Sequence, residues 1–104
     1  MSQFAVHRNS TPDSAVWAPY LLTLQSDLLE DLATVVVAPL VLEERFGRPA
    51  QGLNPVFHVE GHRVVLSVAE LAGISRAHLG VEIQSLAEER DAIIGALDLL
   101  FTGI

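Results

Sequence analysis

Alternating and apolar stretches predict β-strands in the first half of the chain. Residues 3–7 alternate in polarity, residues 20–25 form a second apolar run, and residues 34–42 are β-branched and apolar on both faces. Continuous apolarity of this kind is typical of a strand that is covered on both sides. We therefore predict three strands, the third of them central, with Pro39 marking a bulge, a bend or an edge because proline cannot donate to a ladder.

A β-hairpin is predicted from two apolar runs, Val56–Val59 and His62–Leu66, which flank Glu60-Gly61. Glycine is favoured in a two-residue turn because the turn requires positive φ. Residues 43–54, just before the hairpin, contain two glycines and a proline and indicate a surface excursion. Residues 67–74, just after it, have an ambiguous pattern, which allows a short helical turn below a strand.

Helical spacing predicts one long helix over residues 85–104, after a short strand at 81–83. Ser85 and Glu88 have the spacing of a capping box, in which the serine oxygen accepts a free N–H and the glutamate reaches back. Apolar residues recur on one stripe of this helix: Leu86, Ile93, Ile94, Leu97, Leu100, Phe101 and Ile104. The stripe continues to the last residue of the chain.

The apolar end of this helix has three interpretations. Chain ends are usually frayed and polar, so an apolar end indicates contact with the chain's own core, with a second copy or with another protein. We expect core packing for Leu97 and Leu100. For Phe101 and Ile104, structural packing and contact with another protein both stay open, and Thr102 is expected to be exposed.

Composition narrows the class of protein. The chain of 104 residues is expected to form one domain, residues 1–104, and half of its residues are hydrophobic. In so small a domain this surplus indicates a buried subunit interface.

The absence of cysteine excludes disulfides and thiolate metal sites and favours a reducing, cytoplasmic compartment. No apolar run reaches the ~20 residues of a spanning helix, and no signal peptide is visible, so we expect no membrane association.

The charge pattern argues against direct nucleic-acid binding. Thirteen acidic residues stand against six basic ones, for a formal net charge of −7. A nucleic-acid surface requires clustered cations, whereas the basic residues are all arginines and are scattered: Arg8, Arg45, Arg48, Arg63, Arg76 and Arg90.

Candidate catalytic and metal-binding groups are few. His58 and His62 flank the hairpin turn, and strand parity would allow one face and a metal pair, although surface histidines are far commoner. Asp27, Glu30 and Asp31 can be read as paired carboxylates or as a solvated acidic turn. Glycine-rich phosphate loops and nucleophile elbows are both absent from the sequence. We therefore expect no catalytic residue, no metal, no cofactor and no enzymatic activity.

Several short segments, in a fixed order and spacing, carry a family resemblance. They are Gln3-Phe4 with Val6, Gln25–Leu29, Ala38–Leu40, Pro55–Val59, Glu70–Ala72, Ile93, Ala96-Leu97, Leu99–Phe101 and Gly103-Ile104. Through them the chain resembles the CcdB toxins of bacterial toxin–antitoxin pairs over nearly its whole length. The resemblance implies a mainly β fold with a C-terminal α-helix. This fold is an SH3-like barrel (CcdB/MazF-like) with an antiparallel main sheet plus a small inserted sheet around the hairpin.

The resemblance also implies a function that depends on binding. CcdB-like toxins are homodimers that bind the DNA gyrase A subunit through their paired C-terminal tips, residues 101–104 here, and trap the cleavage complex. Phe101, Gly103 and Ile104 match the family tip, and Thr102 stands where the family has tryptophan. The implied gyrase-binding set is Leu28, Leu29, Asp98, Phe101, Thr102, Gly103 and Ile104; the two leucines match an apolar pair beside the tip, and Asp98 replaces the usual asparagine.

A cognate, CcdA-like antitoxin is the second partner that the resemblance implies. In the family it binds along loops that correspond here to residues 8–14, residues 43–52 and the hairpin. The implied antitoxin-binding set is Arg8, Arg45, Arg48, His62, Arg63 and Val64. We expect the arginines to pair with antitoxin carboxylates, the alternative being that they only keep an acidic domain in solution. The net charge favours a basic or neutral antitoxin segment.

Two other functions stay open. One is a CcdB-like domain with a lost or altered target, either an orphan or an antitoxin-binding module. The other is an endoribonuclease of the MazF-like class, which shares the barrel. The second is the weaker alternative because the chain lacks the basic groove that RNA requires.

Overall fold

The computed structural model describes residues 3–104, which form an antiparallel sheet and short helices. The strands are β1 (Ala5–Asn9), β2 (Tyr20–Thr23), β3 (Thr34–Leu42), β4 (Val56–Val59), β5 (His62–Leu66), β6 (Ala72–Ser75) and β7 (Leu79–Ser85). The α-helices are α1 (Pro12–Ala15), α2 (Glu43–Phe46) and α3 (Arg90–Thr102). Single 3-10 turns cover Asp27–Leu29, Val68–Glu70, Arg76–His78 and Ala87–Glu89.

Strand β3 is the centre of the sheet, as its apolar pattern predicts. The strand order is β4-β5-β3-β2-β1-β7, and β6 pairs with β3 beside β5. Residues 34–37 of β3 pair with β6, and residues 40–42 pair with β5. The predicted mainly β architecture with a C-terminal helix is confirmed. The small inserted sheet that the resemblance implies corresponds to β4, β5 and the end of β3. These strands are continuous with the main sheet.

Pro39 lies within β3 at the point where the strand changes partner. It stands opposite Leu21 of β2, in a register that continues unbroken on both sides. On its other edge the Pro39 carbonyl accepts a hydrogen bond from the Ser67 N–H at 3.1 Å. The missing N–H therefore faces the junction of β5 and β6, where no ladder hydrogen bond is required. A bulge, a bend and an edge were the three predicted alternatives for Pro39, and the proline occupies a local edge of β3.

The β4–β5 hairpin has the predicted bounds and turn. Glu60 and Gly61 have φ of 52° and 80°, the positive pair of a type I′ turn. His58 pairs with Arg63 and Val59 with His62, so the two histidines point to opposite faces. The alternative that the two histidines share one face and form a metal pair is therefore wrong. Within residues 3–104, no group of three or more potential ligand side chains could hold a metal ion.

Helix α3 begins five residues later than its capping pattern predicts. Ser85 ends β7, and its hydroxyl accepts a hydrogen bond from the Ala87 N–H at 3.1 Å. This bond reaches the first residue of a single 3-10 turn whose N-cap position is Leu86, and the α-helix starts only at Arg90. Ile93 and Ala96 are completely buried against the sheet. Across residues 3–104, no helix is long and apolar enough to cross a membrane.

Candidate functional site: the C-terminal tip and its groove

The apolar stripe of α3 passes from the core into solvent along the helix. Leu97 and Leu100 are half-buried and pack against the core, as expected from the sequence. One step further, Phe101 is 68% exposed and Ile104 is 91% exposed. The chain's own core therefore leaves these two side chains uncovered. Thr102 is exposed, as predicted.

The backbone of the tip is closed by local hydrogen bonds. Gly103 has φ of 76°, the left-handed conformation of a helix C-cap, and its N–H donates to the Leu99 carbonyl at 3.0 Å. The Thr102 hydroxyl donates to the Asp98 carbonyl at 2.7 Å. These bonds satisfy polar groups of the last turn within the helix itself. What the tip presents is therefore mainly apolar, with the exposed Asp98 carboxylate one turn before it.

An open groove of about 370 Å³ separates the tip from the chain that follows β2. Its lining is Leu24, Gln25, Ser26, Leu29, Val36, Leu71, Leu97 and Phe101. Leu29 and Phe101 thus share one groove although 72 residues separate them in the sequence. Leu28, in the same 3-10 turn as Leu29, is 94% exposed. The structure therefore brings Leu29 of the predicted leucine pair beside the predicted tip, and Leu28 lies exposed in the same turn.

Side-chain hydrogen bonds fix the turn that carries these leucines. The Ser26 hydroxyl accepts from the Leu28 N–H at 3.2 Å and caps the turn. The Gln25 side chain donates to the carbonyls of Leu29 and Thr34, at 3.4 and 3.2 Å. Its own carbonyl accepts from the Val36 N–H at 3.1 Å. Gln25 therefore anchors the turn to the first residues of β3.

The predicted antitoxin-binding arginine Arg8 is already paired within the chain. Its guanidinium donates to both oxygens of Glu60 in the hairpin turn, at 3.1 and 2.6 Å. The buried Tyr20 hydroxyl donates to the same carboxylate at 2.8 Å. Burial, reinforced by the Glu60 hydrogen bond, raises the pKa of Tyr20 to about 12. The hydrogen bonds from Arg8 and then Tyr20 lower the pKa of Glu60.

A second ion pair holds the other side of the hairpin. Arg63 donates to both oxygens of Glu43 in α2, at 2.8 and 2.9 Å. This fork lowers the pKa of Glu43 and raises that of Arg63. His62 is exposed and lines a shallow pocket together with Arg63. Glu43 and Glu60 carried no sequence signal of these roles, because each pairs with an arginine 20 or 52 residues away.

The remaining predicted antitoxin-binding residues divide into available and unavailable groups. Arg45 and Arg48 are exposed and have no hydrogen-bond or ion-pair partner in the part of the chain that the structure describes. Val64 is completely buried in the core opposite Phe57. The expectation that the Val64 side chain contacts an antitoxin is therefore wrong, because a side chain sealed in the core cannot reach a partner.

Comparison with known proteins adds a family assignment to this geometry. A model of the family described as "CcdB protein" matches residues 3–103. The match spans all seven strands and the C-terminal helix, and it includes both walls of the groove. A search of curated proteins finds no match.

Proposed function

The chain belongs to the CcdB family, the toxins of toxin–antitoxin systems, and on this premise we propose that it poisons DNA gyrase. It binds the gyrase A subunit through the paired tips of a homodimer and traps the cleavage complex. The observation that carries the proposal is the exposure of Phe101 (68%) and Ile104 (91%) on a helix whose preceding turn is packed. Exposed apolar side chains in a cluster are typical of a protein contact.

Each part of the tip has a defined role in this proposal. Phe101 is the anchor, since aromatic side chains commonly dominate interface energies. Leu28 and Leu29 extend the apolar contact on the other side of the groove. Gly103 ends the helix so that Ile104 projects beyond the last turn. No bond is made or broken by the toxin, because the trapped covalent species is formed by gyrase itself.

A gyrase cleavage assay tests the proposal directly. We expect the purified protein to convert supercoiled plasmid to linear DNA in the presence of gyrase, and the Phe101→Ala variant to lose this effect. Val16→Ala is the matched control, because Val16 is 63% exposed but lies outside the groove. Equal poisoning by all three proteins would refute the role of the tip.

Thr102 sets the expected strength of the contact. Replacing an interface tryptophan by a small side chain typically removes ~2–4 kcal/mol of binding free energy, and the Thr102 hydroxyl is already bonded to the Asp98 carbonyl. We therefore expect Thr102→Trp to tighten binding to the A subunit, on the order of tenfold or more. Unchanged affinity in a direct titration would mean that the tip is not the contact.

The antitoxin is proposed to bind near the hairpin, in the cytoplasm where gyrase acts. Arg45 and Arg48 are available to its carboxylates at once, and His62 lies exposed nearby. Arg8 and Arg63 become available only if an antitoxin carboxylate displaces Glu60 or Glu43. The net charge of −7 steers a basic or neutral segment toward the protein more readily than an acidic one.

A CcdB-like domain with an altered target is the second candidate, and Thr102 is the observation that favours it. Expression without the antitoxin separates the candidates. Growth arrest with gyrase-dependent DNA breaks supports the poison, whereas tight antitoxin binding without arrest supports an orphan module. Arrest with RNA decay and intact gyrase cycling would indicate the MazF-like endoribonuclease.

A further inference from the structure

The connection between β2 and β3 displays an unusual density of apolar side chains. Within residues 26–33, here called the leucine loop, Leu28, Leu29 and Leu32 are 94%, 48% and 49% exposed. Because its side chains bury little area in the core, the hydrophobic effect does little to hold this loop in place. Its conformation must therefore depend on polar contacts with its backbone.

Arg76 supplies such contacts from the 3-10 turn that directly follows β6. Its Nε donates to the Leu32 carbonyl at 2.6 Å, and its Nη2 donates to the Leu29 carbonyl at 3.2 Å. Its backbone N–H donates to the Ala33 carbonyl at 3.0 Å. A planar guanidinium can reach two carbonyls at once, which makes arginine well suited to fix a loop.

The sheet register places Arg76 at this position. Ser75, the last residue of β6, stands opposite Thr34, the first residue of β3. Arg76 therefore follows directly at the end of the leucine loop. Gln25 holds the same Leu29 carbonyl from the β2 side at 3.4 Å. The Leu29 backbone is thus restrained from two directions, and its side chain lines the groove that it shares with Phe101.

We propose that Arg76 is a positioning residue for target binding. It holds the leucine loop so that Leu28, Leu29 and Leu32 form one apolar contact surface continuous with the tip. The inference rests on the proposed function, since the occupant of this surface is the same gyrase A subunit, and it adds Leu32 to the contact. A loop ordered before binding avoids the entropy cost of ordering at the interface.

Two substitutions at Arg76 and two measurements test this role. We expect Arg76→Gln to speed amide hydrogen exchange at residues 28–32, while exchange in the β-strands stays unchanged. Affinity for the A subunit should fall roughly fivefold, the effect of ordering about one extra side chain on binding. Arg76→Lys keeps the charge and donors that can still reach a carbonyl, so it should restore part of both losses. Arg90→Gln is the matched control, because Arg90 is exposed, lies outside the loop and belongs to neither proposed binding set.

The outcomes separate this inference from the function on which it rests. Unchanged loop exchange in Arg76→Gln, or an Arg76→Lys variant no better than Arg76→Gln, would overturn the positioning role. If Phe101→Ala weakens binding and Arg76→Gln does not, the gyrase contact stands and the inference is wrong. If neither Phe101→Ala nor Leu28→Ala weakens binding, the proposed function itself fails, whatever the exchange measurement gives.

Discussion

At the residue scale, the hairpin turn depends on a carboxylate in an unfavourable backbone conformation. Glu60 has φ of 52°, a backbone region that residues other than glycine and asparagine rarely adopt. It is retained there by the two-pronged bond from Arg8 and by the hydroxyl of Tyr20. The strain of the turn is thus offset by contacts that join the hairpin to β1 and β2.

The same network makes a sharp prediction for alkaline stability. Tyr20 is the only tyrosine, and the chain has neither lysine nor cysteine, so few other groups titrate near pH 11. Its pKa is raised from 10.0 to about 12 on folding. The unfolded chain therefore loses this proton first, and the free energy of unfolding should fall between pH 10 and pH 12, on the order of 2 kcal/mol. The full contribution is present below pH 10.

Urea denaturation at pH 8 and at several values up to pH 11.5 measures this effect. Tyr20→Phe should lower the free energy of unfolding at pH 8 by ~1–2 kcal/mol, since the bond to Glu60 is lost. It should also abolish the alkaline decline. A decline that persists unchanged in this variant would show that another group causes it.

At the element scale, the hydrophobic pattern predicts strands better than it predicts the ends of helices. The bounds of β3, β4 and β5 were predictable because apolar runs, turn chemistry and burial agree there. The start of α3 was not, since the capping spacing of Ser85 and Glu88 competes with the pairing of β7 to β1. The pairing prevails, and Ser85 remains in the strand.

The candidate site likewise has a part that the sequence pattern predicts and a part that it does not. The exposed tip follows from an apolar stripe that runs past the end of the core. The groove, the arginine forks and the Arg76 contacts are tertiary, because each joins residues far apart in sequence that no local pattern relates. Val64 was misassigned for a related reason. Arg63, the residue before it in β5, is exposed, but the sheet register turns the Val64 side chain into the core opposite Phe57.

The pairing of β7 with β1 depends on one glycine. A Cβ at Gly80 would lie 2.5 Å from the Arg8 carbonyl oxygen. Gly80→Ala must therefore shift backbone, and we expect it to lower the free energy of unfolding by ~1–3 kcal/mol. Gly73→Ala in β6 is the matched control, because a Cβ there meets nothing within 4 Å, and its effect should stay within about 0.5 kcal/mol. Thermal denaturation of both variants measures the difference, and equal stabilities would contradict this account.

At the scale of the whole molecule, the net charge and the apolar tip act over different distances. The net charge of −7 acts at long range and favours the approach of basic or neutral segments. The tip acts only on contact, through side chains that the chain's own core leaves exposed. A single tip is small, so the proposed poison requires two tips side by side, which only a homodimer supplies.

The absence of cysteine allows the proximity of the two tips to be measured. Thr102→Cys introduces one thiol, and a disulfide forms readily only where two Cα atoms lie within about 7 Å. If the tips meet, mild oxidation should link the Thr102→Cys variant into a species of twice the 11.2 kDa chain mass. Val81→Cys is the control, since Val81 is 69% exposed but lies on the edge strand β7. Because disulfide formation between free monomers would link both variants alike, equal yields would mean that the tips do not pair, and the proposed two-tip contact with gyrase would be refuted.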